Sequence, residues 1–366
     1  MRFWLALVCT TLVIPVSFAQ DAPKVSQRSE LQQRLDRSVA QWLTKYDVPS
    51  VAVAYVENGK LAWTAVYGDQ SPGVPATEKT LYNVASLTKP ISAEVILRLV
   101  SAGKMSLDEP ISAYWIDPDV KDNPWHKLLT PRLCLSHQTG FPNWRSKTNN
   151  ILTFQWEPGT RTGYSGEGYD YVALFAEKKM GMPFEQLAQQ YVFDPIGMND
   201  TSYTPRPWYA GRLAIPHGAK GETEPKTSTA WSAADLVRTT VGDYAKFLVS
   251  VMNNEKITTQ IAAERLTSTR NLPTPEQEKQ ACAYEEAGAS KCHVAYGMSL
   301  GWEVVKHNDV TIIDHDGSDW GVRTLAFFVP QRRIGVVILT NGNHGTDVAR
   351  EIVRILYPDA VYVATL

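Results

Sequence analysis

The spacing of hydrophobic positions divides the chain into elements. Leu31, Leu35, Val39, Trp42 and Leu43 recur at helical spacing within residues 26–46, and Ser26 or Ser29 can cap that helix. SVAVAYV follows, then Glu57-Asn58-Gly59-Lys60, then LAWTAVY; two β-rich runs around Asn-Gly predict a hairpin. Residues 86–103 are mostly apolar or small and end at Gly103, which predicts a buried central helix. Residues 105–290 read as helices and long loops punctuated by Pro and Gly, with little strand pattern. Strand character returns at 296–305 (YGMSLGWEVV), 310–314, 322–329 (VRTLAFFV) and 334–340 (IGVVILT). Pro330-Gln331-Arg332-Arg333 forms the turn between the last two. A final helix after Gly345 carries Val348, Ile352 and Ile355 on one face.

This order predicts an α/β (α+β) architecture. One sheet is built from both ends of the chain and covered by the terminal helices, and a mostly helical lobe is inserted between them. The expected partition is residues 20–80 and 294–366 in the sheet lobe and 81–293 in the inserted lobe. A cleft between two such lobes is a favoured ligand site.

The first segment stands apart from this pattern. Met1–Ala19 reads MRFWLALVCTTLVIPVSFA, with Arg2 ahead of an apolar stretch and small residues, Ser17 and Ala19, at the −3 and −1 positions of a cleavage site. The 16 residues from Phe3 to Phe18 fall short of the ~20 that span a bilayer. We expect a cleavable signal peptide, hence a periplasmic or secreted bacterial protein with no stable membrane insertion afterwards. The competing reading is an uncleaved anchor or a buried helix. Cleavage leaves 347 of the 366 residues and moves the net charge from −2 to −3, because Arg2 is lost.

Composition narrows the function classes. With 44% apolar and 20% charged residues the balance is that of a globular protein, not of a disordered, collagen-like or coiled-coil chain. A near-neutral charge argues against a nucleic-acid partner. Four cysteines are too few for a disulfide scaffold. Cys282 and Cys292 bracket the polar segment AYEEAGASK, so a local disulfide and two free thiols are both compatible with the spacing. Cys134, within LCLSH, is expected to be a buried thiol and not a nucleophile. His126, His137, His217, His293, His307 and His344 show no paired ligand spacing, so a zinc site is not expected.

Three serines compete as nucleophiles. Ser86-Leu87-Thr88-Lys89 and Ser101-Ala102-Gly103-Lys104 are both Ser-x-x-Lys strings, and about one is expected by chance. Ser86 opens the long apolar helix, with Lys89 one turn on and on the same face. A buried Lys89 would lose pKa and take the Ser86 proton. Ser101 sits at a helix end beside Gly103, where Lys104 is solvated. Gly297-Met298-Ser299-Leu300-Gly301 matches the Gly-x-Ser-x-Gly elbow, but that elbow needs a helix next and Trp302-Glu303-Val304-Val305 reads as strand.

Two further clusters carry chemistry. Gly163-Tyr164-Ser165-Gly166-Glu167-Gly168-Tyr169 reads as a tight exposed loop ahead of a helix over Asp170–Lys179, with Tyr164 a candidate proton relay. Glu167 either orients Tyr164 or is a solvated carboxylate. Asp314-His315-Asp316-Gly317-Ser318-Asp319-Trp320-Gly321 ends one strand and precedes another. Trp144, Trp156 and Trp320 fall near the motifs, as packing residues or as pocket lining.

SLTK, then YSG about 80 residues on, then HDG in the late strand region together resemble the serine β-lactamase-like and penicillin-binding-protein-like superfamily. The likeness is greatest to its class C, D-aminopeptidase and esterase branch. LCLSHQTGF, FDPIGMNDTSY and IGVVILTNG extend it across nearly the whole chain after the leader. The resemblance implies an antiparallel sheet flanked by terminal helices. It implies Ser86 as the acylated nucleophile, Lys89 as its activator and Tyr164 as general base. It implies the N–H groups of Ser86 and Ser318 as the oxyanion hole, His315 and Gly317 on the strand facing substrate, and no need for a metal or organic cofactor.

Two positions depart from the family pattern. Gly166 stands where the second motif carries Asn, and His315 where the third carries Lys. A neutral His315 among Asp314, Asp316 and Asp319 attracts an acidic β-lactam poorly. The expected function is therefore an exported serine hydrolase acting on esters or on amides such as D-amino-acid peptides. A β-lactamase or DD-carboxypeptidase is the nearest alternative, and a silent binding protein the alternative of another class. The expected partner is a small molecule or peptide.

Overall fold

The computed structural model describes residues 29–223, 231–267, 294–307 and 309–366. The leader Met1–Ala19 and the Cys282–Cys292 pair lie outside the described residues.

Ten strands are described: β1 Ser50–Glu57, β2 Lys60–Ser71, β3 Val74–Pro75, β4 Tyr82–Asn83, β5 Arg238–Thr239, β6 Val294–Met298, β7 Glu303–His307, β8 Val310–Asp319, β9 Val322–Val329 and β10 Ile334–Thr340. The described helices are α1 Glu30–Tyr46, α2 Thr88–Ser101, α3 Pro131–Leu135, α4 Gly166–Met180, α5 Phe184–Ala188, α6 Asp194–Ile196, α7 Val241–Met252, α8 Thr259–Arg265, α9 Gly345–Leu356 and α10 Ala360–Thr365. Ser29 caps α1 by accepting from the Gln32 N–H at 3.2 Å.

Eight strands form one antiparallel sheet in the order β3-β2-β1-β10-β9-β8-β7-β6. The N-terminal hairpin turns through Asn58 (φ 54°) and Gly59 (φ 72°), the left-handed pair that matches strand twist. It joins the C-terminal strands through β1 and β10, from Val51 opposite Thr340 to Val56 opposite Gly335. The sheet is covered on both faces, which is why SVAVAYV shows no polar alternation. Ala52, Ala54 and Val56 pack toward α2 and the helical lobe, while Val51, Val53 and Tyr55 pack toward α1, α9 and α10. The same alternation runs along β8. Ile313 faces the helical lobe and Ile312 the terminal helices. His315 and Gly317 therefore follow Ile313, and Asp314, Asp316 and Ser318 follow Ile312.

Several elements differ from expectation. The run 296–305 is not one strand: β6 and β7 are separated at Ser299–Trp302, where Gly301 adopts φ 92°. A Cβ on Gly301 would stand 2.3 Å from the Ala93 Cβ, so the chain crosses α2 there with no room for a side chain. β8 continues five residues past 314 because Asp319 to His315 pair in register with Val322 to Ala326. Asp, Gly and Ser are poor strand formers, and the partner strand overrides that preference. The helical lobe contains the two-stranded pair β4–β5, and α10 follows the final expected helix. Helix α4 begins at Gly166, four residues earlier than expected, because Ser165 caps it by accepting from the Gly168 N–H at 3.1 Å.

Candidate active site

Ser86 lies in the 3-10 turn Ala85–Leu87 that runs into α2. Ala85 is forced to φ 48°, a left-handed conformation that costs a non-glycine residue about 1–2 kcal/mol. The surroundings hold it there. The Ala85 N–H donates to Asn83 Oδ1 at 3.0 Å, and the Val84 N–H donates to the Val237 carbonyl at 3.1 Å. The Thr324 hydroxyl of β9 donates to the Val84 carbonyl at 2.8 Å, and the Tyr244 hydroxyl of α7 to the Leu87 carbonyl at 2.9 Å. β8 passes directly beneath: a Cβ on Gly317 would stand 2.1 Å from Thr324 Oγ1 and 2.4 Å from the Val84 carbonyl oxygen. The glycine of the third cluster therefore serves to bring the strand against the nucleophile turn.

Lys89 is fully buried one turn along α2. Its Nζ donates to Ser86 Oγ at 2.9 Å and to the Ala234 carbonyl at 2.9 Å. Burial lowers its pKa to about 8 against the opposing pull of Asp235, Asp170 and Asp316. The amine sits 4.6 Å from the centroid of the Tyr164 ring. The Tyr164 hydroxyl is hydrogen-bonded to Ser86, and burial pushes it well above the ordinary phenol range, so Tyr164 is held protonated. The Tyr164 ring stacks on His137 at 4.5 Å between centroids. His137 Nδ1 accepts from the Ser165 N–H at 3.0 Å, which fixes the loop carrying Tyr164. Ser86, Lys89 and Tyr164, 75 residues apart between the last two, thus meet at one point.

The free edge of β8 faces this point. β7 pairs with β8 only from Val310 to Asp314, so residues 315–319 have a partner on the β9 side alone. The two-residue turn Trp320-Gly321 makes Asp319 and Val322 a hydrogen-bonded pair. By alternation Gly317 and His315 also bond β9, and Ser318 and Asp316 direct their N–H and C=O groups outward. Ser318 therefore offers a free backbone N–H at the edge beside the Ser86 turn.

His315 departs from the role expected of it. The side chain faces the helical lobe but is only 2% exposed, with its ring 6.2 Å from that of Tyr164. Nδ1 lies 2.6 Å from the Asp316 carbonyl oxygen, so Nδ1 carries the proton. Burial lowers its pKa to about 3, leaving a neutral imidazole beneath Tyr164 and not an open substrate contact. Gly166 is likewise covered: a Cβ there would stand 2.5 Å from the Trp144 ring. The indole of Trp144, 5.9 Å from Lys89 Nζ, closes the space above that position. Glu167 neither orients Tyr164 nor points to solvent. It accepts from the Arg145 N–H, Nε and Nη2 at 2.7–2.9 Å. Trp320, 40% exposed at the β8–β9 turn, stands at the rim of the strand edge.

Sequence reasoning missed Asp170 and Asp235. Asp170 accepts from the Ser232 hydroxyl at 2.9 Å and the Ala233 N–H at 2.8 Å, and burial raises its pKa to about 6. Asp235 follows the residue whose carbonyl holds Lys89; burial and Asp319 raise it, and Lys89 opposes them. The other serines are placed elsewhere. Ser101 Oγ accepts from the Thr258 N–H at 3.2 Å, and Ser299 Oγ donates to the Trp302 carbonyl at 2.9 Å within its tight turn. Cys134 is buried and free, its thiol pushed up by desolvation. Among the described residues no group of three or more His, Cys, Asp or Glu is arranged to hold a metal ion.

A Ser-x-x-Lys turn facing a free strand edge, on a sheet covered by helices, defines the serine β-lactamase-like and penicillin-binding-protein-like class of fold. The family model described as Beta-lactamase matches residues 32–357, and the chain belongs to that family. A curated relative, the D-alanyl-D-alanine-carboxypeptidase/endopeptidase AmpH of Escherichia coli (strain K12), is 22% identical over 363 residues, covering 91% of this chain and 89% of its own. The octameric penicillin-binding protein homologue from Pyrococcus abyssi superposes with a TM-score of 0.74 at 18% identity, over 90% of this chain and 78% of that one. The D-alanine carboxypeptidase AmpC from Burkholderia cenocepacia gives a TM-score of 0.70 at 22% identity, over 88% and 98%.

Proposed function

We propose that the protein is an exported serine hydrolase working through an acyl-enzyme on ester or amide substrates, D-amino-acid peptides among them. The observation that carries this reading is the contact of Lys89 Nζ with Ser86 Oγ at 2.9 Å in a buried setting. Neutral Lys89 takes the Ser86 proton as Oγ bonds to the substrate carbonyl carbon. The oxyanion is received by the N–H groups of Ser86 and Ser318, each donor contributing about 3–4 kcal/mol. Protonated Tyr164 gives its proton to the leaving oxygen or nitrogen and recovers one from the Lys89 ammonium. Water then attacks the acyl carbon by the reverse relay. This assigns Lys89 the base role that the family resemblance gives to Tyr164.

The cleft supports substrates without a carboxylate. His315 presents no positive charge to a substrate carboxylate. The second reading, a D-alanyl carboxypeptidase, draws on the name of the Escherichia coli relative. Intact-mass analysis of the exported protein after a fluorophosphonate tests the proposal. We expect a chain starting at Gln20 with one adduct, mapped to Ser86. A panel of p-nitrophenyl esters, D-alanyl p-nitroanilide and nitrocefin then ranks substrates, with nitrocefin the slowest. An unlabelled Ser86 under every condition leaves the silent binder standing.

The pH profile follows from Lys89. Its pKa of about 8 means that most of it is protonated at neutral pH. We expect kcat/KM for a neutral ester to rise about tenfold per pH unit below pH 7 and to level off above about 8. A profile flat between pH 6 and 9 would assign the base elsewhere.

A further inference from the structure

Across β8 from the nucleophile, between the sheet and the terminal helices, lies a cavity of about 210 Å³. This is room for a small organic group and not only for one water. Glu303, Asp314 and Asp316 line it, with Tyr296, Arg323 and Thr365. Glu303 and Asp314 stand directly opposite each other across β7 and β8, on the face toward α9 and α10. Like charges in that relation destabilise a sheet, and here Asp314 is buried and Glu303 half-buried. Asp314 Oδ2 accepts from the Tyr362 hydroxyl of α10 at 3.0 Å. Its Oδ1 is buried without a partner, in a side chain only 8% exposed.

We propose that this cavity is a binding site for a primary ammonium group, held between Glu303 and Asp314 with Asp316 as the third acceptor. The three carboxylates do not converge as metal ligands do. They suit a cation with three separate N–H donors, and the orphaned Asp314 Oδ1 takes one of them. The resident cation does this work only in part: Arg323 acts on Asp316 across the cavity, but its Nη1 is committed to the Asp319 and Val322 carbonyls at 2.6 Å each. The phenols of Tyr296 and Tyr362 are neutral there, both pushed up by burial. Without a cation, burial and mutual repulsion keep protons on the carboxyls, Glu303 rising to about 7 and Asp314 well above its usual range. Binding the ammonium displaces those protons to solvent, so affinity rises with pH through about 7. Asp314 and Asp316 flank His315, so an occupant steadies the strand that offers the Ser318 N–H. The ammonium comes either from the cationic end of the substrate or from a free amine.

Titration calorimetry with ethylammonium chloride on the full protein tests this without reference to hydrolysis. We expect saturable binding that tightens from pH 6 to 8 and weakens at least tenfold in Asp314→Asn and in Glu303→Gln. Both variants are isosteric with the protonated acids and should fold, which a thermal melt checks separately for each. In ester hydrolysis, competitive inhibition by ethylammonium marks a substrate subsite and a change in kcat marks a separate effector; each supports the site. No saturable binding by the parent, or the same affinity in both folded variants, would overturn it.

Discussion

Lys89→Met is expected to lower kcat/KM for ester hydrolysis by about 10²–10⁴-fold while leaving the protein more stable at neutral pH. The loss follows from removing the group that accepts the Ser86 proton at 2.9 Å. The gain follows from linkage. In the unfolded chain the amine holds its proton up to about 10.5, in the folded chain only up to about 8. Between those values the unfolded state binds the extra proton, so parent stability rises with pH there. Below about 8 the buried ammonium costs its full difference, about 3 kcal/mol. Methionine removes that cost but leaves the Ala234 carbonyl without a donor and Ser86 Oγ with Tyr164 alone, so a net gain of about 1–2 kcal/mol is expected. Thermal melts of parent and variant at pH 7 and pH 10 check it. The difference should shrink at the higher pH, and a variant melting well below the parent at pH 7 contradicts the argument.

The second large effect is expected from the smallest substitution. Gly317→Ala adds one methyl group where Thr324 Oγ1 would lie at 2.1 Å and the Val84 carbonyl oxygen at 2.4 Å. The hydroxyl can rotate away, but the carbonyl belongs to the turn that carries Ser86. Strand and turn must part, which separates the Ser318 N–H from the Ser86 N–H. We expect acylation to slow by about 10²–10³-fold, the scale of losing one oxyanion donor, and stability to fall by about 1–3 kcal/mol. Adding Thr324→Ala removes one clash only, so the double variant should remain slow. Parent-like labelling by the fluorophosphonate in Gly317→Ala would mean that the strand does not support the turn.

The elements that were legible in the sequence are those whose signal is local. The Asn58-Gly59 hairpin, the apolar run of α2 and the Ser86–Lys89 spacing each lie within about one element, and each stands where its pattern placed it. The unread parts arise from contacts between distant segments. Residues 315–319 look like a loop until β9 supplies the pairing. Asp235 and the Ala234 carbonyl sit in a stretch without a motif, and only folding carries them to Lys89. Nothing in its spacing marks His137, although its LCLSHQTGF context belongs to the family resemblance; its role depends on a stack with Tyr164, 27 residues away. Trp144 over Gly166 and Arg145 on Glu167 are likewise tertiary events. The resemblance implies His315 on a strand facing substrate, and its burial beneath Tyr164 leaves no mark in the sequence.

The pairing of β1 with β10 also governs the order in which the molecule can assemble. Val51 meets Thr340 and Val56 meets Gly335, so the N-terminal hairpin lacks one of its two neighbours until the last strand of the sheet exists. The Ser86 turn waits on the same event, because its Val84 carbonyl is held by Thr324 of β9. Contacts spanning that much chain make folding slow and postpone it until synthesis is nearly complete. A chain cut before residue 322 would keep the Ser-x-x-Lys string intact and yet have no strand against which to set the nucleophile.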